Sequence, residues 1–362
     1  MILFYTMSSW VLLSSLGQPN TLLKNSYVSR AFLILFTVLL LLAIPSRDFH
    51  TYGGDMNNYV NFFQKIAGMS LVDTFKIAIW EPSFVFTQWI ISRFTSNPSI
   101  YIIITVLIYI LTLGKSIKNI FSPWQMMFIL FAYLNFTFFY GYIFNGARQG
   151  FSIMLLLLAI SIWLSKGRNL YFYIALILSA SFHLSVIPAT IILLSLKQFN
   201  FKIKTLLVYW AFFSLLFISG FNQFIMQIPF VNSITLIQSY ASSAALEHYG
   251  GEVNNLKFYA FSAFFLILGL ILYKTIKLES ALKLTYLKII KIYTALNCYF
   301  LLLGFVSFSD RIAIYSWFLI PILVLFPILN KEKHSPFLLF IVLLILALNG
   351  ISSTQGFYDF GF

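Results

Sequence analysis

The sequence predicts an all-α polytopic membrane protein with about twelve transmembrane helices, and three observations carry that prediction. The chain is 60% apolar and only 9% charged, against roughly 45–50% and about 25% in a soluble domain. Too few charges remain to cover a water-soluble globule of 362 residues. Apolar runs close to the ~20 residues that cross a bilayer recur along the chain, separated by polar breaks. Basic residues gather in alternate breaks, the bias that orients helices in a membrane. Together these exclude a soluble enzyme, a disordered chain and a nucleic-acid binder. The net charge of +13 then reports topology.

Apolar spans fall near 1–17, 29–46, 99–115, 123–141, 148–165, 205–220, 257–273, 287–306, 312–328 and 336–351. The first lacks a basic leader and a small-residue cleavage site, which predicts a retained helix. The apolar run 169–197 is long for one span and reads Ser179-Ala-Ser-Phe-His183-Leu-Ser185 at its middle. Lys166 and Arg168 precede it, and Lys197, Lys202 and Lys204 follow. A single crossing would put those clusters on opposite sides of the membrane, so the run is expected to form a hairpin of two short helices turning near His183. Lys24, Arg30, Lys115, Lys118, Lys274, Lys277, Lys283, Lys288, Lys291, Lys331 and Lys333 then also lie inside. The result is a single integral-membrane domain with both termini outside and two long outer segments, 47–98 and 221–256. In the first of these, Phe86, Trp89, Ile90 and Phe94 recur at helical spacing against Thr87, Gln88 and Arg93, which predicts an interfacial helix near 83–95. The single cysteine, Cys298, permits no internal disulfide.

The outer face collects the groups with chemical potential. Arg148, in Phe144-Asn-Gly-Ala-Arg-Gln-Gly150, opens an apolar helix, where the dipole disfavours a cation. An anionic ligand shared with the backbone N–H groups would relieve that conflict; snorkelling to the headgroups is the alternative. Arg311 repeats the arrangement behind Asp310, which is expected to cap its helix. Arg47 and Asp55 belong to a polar cluster turned by Gly53-Gly54, and a solvated loop would look similar. Glu81, before Pro82, reads as a general base or as an ordinary helix-start acid. His183 sits in apolar sequence at the expected hairpin tip, where a polar group is costly. Glu247, His248 and Glu252 share one loop but lack the helical HExxH spacing of a metal site, so no metal site is expected. No P-loop, GxGxxG or GxSxG pattern is present.

In order and spacing these clusters resemble the EpsG-like branch of the Wzy polysaccharide polymerases. The matching positions are Arg47, Gly54, Asp55 and Tyr59 after an early helix, then Glu81-Pro-Ser-Phe84, then Arg148 opening a mid-chain helix. Phe182-His183 and a late Arg311 followed by Tyr315 complete the series. Gly53-Gly54 stands where the family often has Thr or Ser before the Asp.

The resemblance implies a GT-C-type glycosyltransferase of the bacterial cytoplasmic (inner) membrane, with its active site facing outward. Its substrates would be oligosaccharide repeat units on undecaprenyl diphosphate, joined into O-antigen or other surface polysaccharide without a cofactor, metal or nucleotide sugar. A flippase and a chain-length regulator are the expected protein partners, with membrane lipid around them. Arg47, Arg148 and Arg311 are the candidate diphosphate ligands, because arginine keeps its proton and binds bidentately. Asp55, Glu81 and His183 are the candidate bases, in no order, and Tyr59, Tyr142 and Tyr315 the candidate sugar contacts. A lipid-linked oligosaccharide flippase ranks second, since it predicts internal repeats and mid-membrane polar groups that the sequence does not display. An O-antigen ligase, differing in acceptor, is the third reading.

Overall fold

The computed structural model describes residues 2–16, 55–167, 169–228, 252–331 and 335–352, with isolated positions 27, 30, 31, 34, 35, 37, 38 and 241. Among the described residues all regular structure is helical. The chain divides into two compact units, 1–186 with 333–362, and 187–332. The span expected at 29–46 lies almost wholly outside the described residues, as do Arg47, Glu247 and His248.

Local sequence sets where helices begin in the first unit. Asn97 accepts from Ser99 N at 2.8 Å, with Pro98 opening the helix Pro98–Ile120, a position where the missing proline N–H costs nothing. Ser122 and Gln125 form a capping pair ahead of Pro123–Leu134, the Ser122 N–H donating to Gln125 Oε1 at 3.0 Å. Ala147–Lys166 is the central helix of this unit, flanked by Pro98–Ile120 and Leu170–Phe182. Polar side chains within these apolar interfaces are paired. Ser179 Oγ donates to the Ser152 carbonyl at 2.6 Å, and Asn119 Nδ2 to Ser161 Oγ at 3.0 Å. Such pairing is what an apolar surround demands.

The second unit is built on Ser280–Leu303, which packs against Ile187–Phe199, Ile203–Ser219, Leu256–Thr275 and Asp310–Trp317. Tyr293 OH donates to the Ser262 carbonyl at 2.9 Å, and Trp317 Nε1 to Ser262 Oγ at 2.8 Å. Tyr286 OH reaches the carbonyls of Gly269 and Leu323. These bonds staple three helices through otherwise apolar contacts.

Among the described residues, five helical stretches are long and apolar enough to cross a membrane: 98–120, 147–165, 256–275, 280–303 and 310–329. A sixth arises if Ile203–Ser219 and Phe221–Gln227, bent by 89°, count as one. This makes a multi-pass membrane protein, and among the described residues two of the expected apolar runs are divided. The run 123–141 stops at Leu134, where Asn135 turns its amide back onto the Phe131 carbonyl at 2.9 Å. The run 169–197 does break at His183, into Leu170–Phe182 and Ile187–Phe199. These two arms belong to different units.

The expected interfacial helix is Pro82–Ser92. Phe86, Ile90 and Phe94 are exposed along it, as a lipid-facing stripe requires. Gln88, expected on the polar face, is instead fully buried and donates to the Tyr59 carbonyl and to Tyr101 OH at 2.7 Å. The inner face of this helix packs on protein, so its polar residue is held by hydrogen bonds rather than by water.

Gly150 marks the tightest approach to the central helix: a Cβ there would overlap the Tyr142 carbonyl and press on the Tyr109 ring at 3.0 Å. Gly150→Ala is expected to destabilise the protein by about 1–3 kcal/mol, read as a lower thermal midpoint in detergent. Gly141→Ala, whose Cβ meets nothing within 4 Å, should leave the midpoint unchanged or raise it.

Candidate active site

Four of the expected site residues, Tyr59, Glu81, Arg148 and His183, far apart in sequence, meet in the first unit. Glu81 Oε2 lies 2.8 Å from Arg148 Nη1, and Glu81 Oε1 lies 2.8 Å from His183 Nδ1. Arg148 Nε donates to Tyr59 OH at 3.0 Å. The Leu184 N–H also points to Glu81 Oε1, at 3.4 Å.

Each side chain arrives from a helix end. Tyr59 lies in Asp55–Lys65, one turn beyond its start. Glu81 is the residue before Pro82 at the head of Pro82–Ser92, yet its carboxylate makes no capping bond to its own helix. The ordinary helix-start reading therefore fails, and both oxygens serve other elements. Arg148 sits in the first turn of Ala147–Lys166. His183 ends Leu170–Phe182 with an extended backbone, φ −161° and ψ 120°, which swings its ring out of the helical path. The conflict between Arg148 and the helix dipole is met here by Glu81, where the sequence alone left an anionic ligand and snorkelling to the headgroups both open.

An aromatic wall surrounds the cluster. The Arg148 guanidinium carbon lies 5.5 Å from the Tyr59 ring centre and 5.8 Å from that of Trp80, within cation–π range. Trp80 packs edge-on to Tyr59 at 5.2 Å and to Phe62 at 4.8 Å, and Phe84 packs on Tyr59 at 4.8 Å. Ser83 and Ser181 hydroxyls, 2.6 Å apart, tie the Glu81 helix to the helix that ends in His183. Buried Gln88 anchors the Tyr59 backbone from beneath. Trp80 and Gln88 stand outside the site that sequence reasoning assembled. Trp80 was signalled only as one of many outer-face aromatics able to stack on a sugar ring, and Gln88 by nothing local.

Burial drives the Glu81 carboxyl up, but the His183 hydrogen bond and charge and the Arg148 charge outweigh it and bring its pKa down to about 2. The side chain is only 10% exposed. A carboxylate so enclosed is stable only with its partners in place; removing one partner of a buried pair typically costs about 3–5 kcal/mol.

The other expected residues take separate positions. Asp55 opens its helix, its backbone N–H donating to Asn145 Oδ1 at 2.9 Å. Tyr142 is buried in Phe139–Phe144, its carbonyl against Gly150. Arg311, Asp310 and Tyr315 belong to the second unit. There the helix begins at Asp310, so Ser309 occupies the cap position expected of Asp310, and Asp310 favours the first turn through its charge. The Arg311 guanidinium carbon lies 4.3 Å from the Phe308 ring centre, and Phe308 holds a left-handed φ of 57°. Such a φ is an outlier for a bulky residue. Tyr315 is buried, its ring 6.4 Å from that of Tyr299.

Fold and site together define a multi-pass, all-helical membrane protein with an Arg–Glu–His cluster at helix ends. The EpsG family model matches residues 32–358, nearly the whole chain, and the protein belongs to that family. EpsG-like polymerases are of the Wzy type, and membership gives this chain a polysaccharide-polymerase-like role. No curated protein and no solved structure matches it.

The depressed Glu81 pKa fixes the sign of an acid dependence. A carboxyl lowered from 4.5 to about 2 on folding stabilises fully above pH 4.5, and that stabilisation is lost as pH falls toward 2. The thermal midpoint of wild type should therefore exceed that of Glu81→Gln above pH 4.5. The margin should shrink as the buffer is taken below pH 4.5.

Proposed function

We propose that the protein is a glycosyltransferase that joins undecaprenyl-diphosphate-linked oligosaccharide repeat units at the outer face of the bacterial cytoplasmic membrane. The product is O-antigen or another surface polysaccharide. The reaction uses no nucleotide sugar or metal. A flippase supplies the lipid-linked units and a chain-length regulator sets the extent of growth. The observation that supports this reading is the Arg148–Glu81–His183 chain.

The chemistry asks for two things: a fixed positive charge for the departing diphosphate, and a base for the acceptor hydroxyl. Arg148 suits the first, because its guanidinium stays protonated and forks onto phosphate oxygens. Arg47 and Arg311 are proposed as phosphate ligands on the same ground, each by itself. Glu81 is a poor base: its carboxyl is held down at about 2, far from the neutral pH at which an efficient base is matched to its task. Both of its oxygens are engaged as well. It acts instead as the positioning residue for His183. Contact of the carboxylate with Nδ1 keeps the proton of the neutral imidazole on Nδ1 and leaves the Nε2 lone pair free.

His183 Nε2 is then the base. The acceptor hydroxyl oxygen attacks the anomeric carbon of the donor, and its proton passes to Nε2. The bond from that carbon to the diphosphate oxygen breaks, and the lipid diphosphate leaves with the electron pair. Tyr59 holds Arg148 in place. Asp55 is the competing base.

In a deletion strain complemented with variants, Arg148→Ala and Arg311→Ala should reach the membrane but yield single repeat units in place of a polysaccharide ladder. Normal chain length from both would overturn the arginine assignment. His183→Gln should lower the polymerisation rate by about 10²–10⁴-fold, and Asp55→Asn by less. The opposite ranking would move the base to Asp55.

A further inference from the structure

The second unit contains a feature that the reaction does not use. A cavity of about 410 Å³ lies among Ile187–Phe199, Ile203–Ser219 and Ser280–Leu303, with Ile191, Leu196, Phe201, Leu206, Cys298 and Leu302 in its wall. Its lining is almost wholly apolar, and Ile191 is 56% exposed, so the cavity opens sideways from the helices. An apolar space open to a bilayer fills with hydrocarbon, not water.

Lysines stand on the segments that form this wall. Lys202 directly follows Phe201, and Lys204 precedes Leu206 by two residues; both are exposed. They open the helix Ile203–Ser219, whose first turn contains no acid, so the helix dipole adds to their positive field. On Ser280–Leu303 the positions 288, 291, 295, 298 and 302 recur at intervals of three and four, which places them on one face. The last three line the cavity, and the first two are Lys288 and Lys291. Among the described residues, none of these four lysines is ion-paired with an acid. The charge pattern of the sequence puts all four on the inner side of the membrane.

We propose that this cavity binds one acyl chain of an anionic phospholipid of the inner leaflet, with the headgroup held by Lys202, Lys204, Lys288 and Lys291. Charge selects the headgroup: basic pockets between membrane helices on the cytoplasmic side are suited to anionic lipids. Length selects the chain. From Lys291 to Leu302 the helix rises about 16 Å at ~1.5 Å per residue, which matches the ~15 Å of hydrocarbon in one leaflet. A longer polyprenyl tail would overrun it. The site is independent of the proposed polymerisation, whose lipid-linked substrates are handled at the outer face.

The test uses the full-length protein in phosphatidylcholine nanodiscs containing phosphatidylglycerol or phosphatidylcholine with a photoreactive diazirine in one acyl chain. After irradiation, labelled peptides are mapped by mass spectrometry. The phosphatidylglycerol probe should label the cavity-lining peptides of 187–213 and 295–302 at least tenfold more than the phosphatidylcholine probe, because each lysine near the surface attracts an anionic headgroup. Replacing all four lysines with glutamine should bring its labelling down to the phosphatidylcholine level. Ala295→Phe, which fills the cavity from its wall, should suppress labelling by both probes, and a single size-exclusion peak for each variant confirms folding. Equal labelling by the two probes in wild type would overturn headgroup selection. Labelling displaced by undecaprenyl diphosphate but not by excess unlabelled phosphatidylglycerol would overturn the phospholipid assignment and make the cavity a substrate site.

Discussion

Glu81 is the constraint on which the first unit's site depends. One carboxylate bridges a guanidinium and an imidazole, each at 2.8 Å, and in doing so joins three helix ends. Without it, Arg148 would sit at a helix N-terminus with the dipole against it, and nothing would fix which nitrogen of His183 carries the proton. Pro82 helps by a negative property. It starts the helix Pro82–Ser92 without needing an acceptor, and the Phe84 N–H donates to the Glu81 carbonyl at 3.1 Å in place of its side chain.

The surroundings make that bridge strong. Tyr59, Trp80, Phe62 and Phe84 form a packed aromatic wall beside Arg148, and a charge pair partly removed from water interacts more strongly than one in bulk. The same wall limits how the pair can move. Arg148 is gripped through Nε by Tyr59, and Tyr59 is gripped through its carbonyl by Gln88. The guanidinium is thus oriented by a chain of contacts ending in a fully buried amide.

The sequence made some of this legible. Charge rules and apolar spacing identified a polytopic helical protein, and the long run 169–197 announced its own break at His183, since a polar group within apolar sequence needs a reason. Glu81, Arg148 and His183 were each singled out locally, but nothing local linked them. Their pairing is tertiary, and spacing along one element cannot report it. Gln88 was misjudged for a related reason: a polar residue on an amphipathic helix reads the same whether it faces water or a buried partner. Short interruptions, such as Asn135 folding back on the Phe131 carbonyl, were illegible because they divide a run whose hydropathy is continuous.

The pairings in the Arg–Glu–His cluster span long stretches of chain: 67 residues between Glu81 and Arg148, 89 between Tyr59 and Arg148, and 102 between Glu81 and His183. During synthesis from the N-terminus, Glu81 therefore waits for the central helix Ala147–Lys166 to arrive before its charge is matched, and longer still for the helix that ends in His183. The cluster closes late, and only if every intervening segment has been inserted in the right order. A chain with one segment misplaced would carry a carboxylate and a guanidinium without their partners, a costly state wherever the two are withdrawn from water.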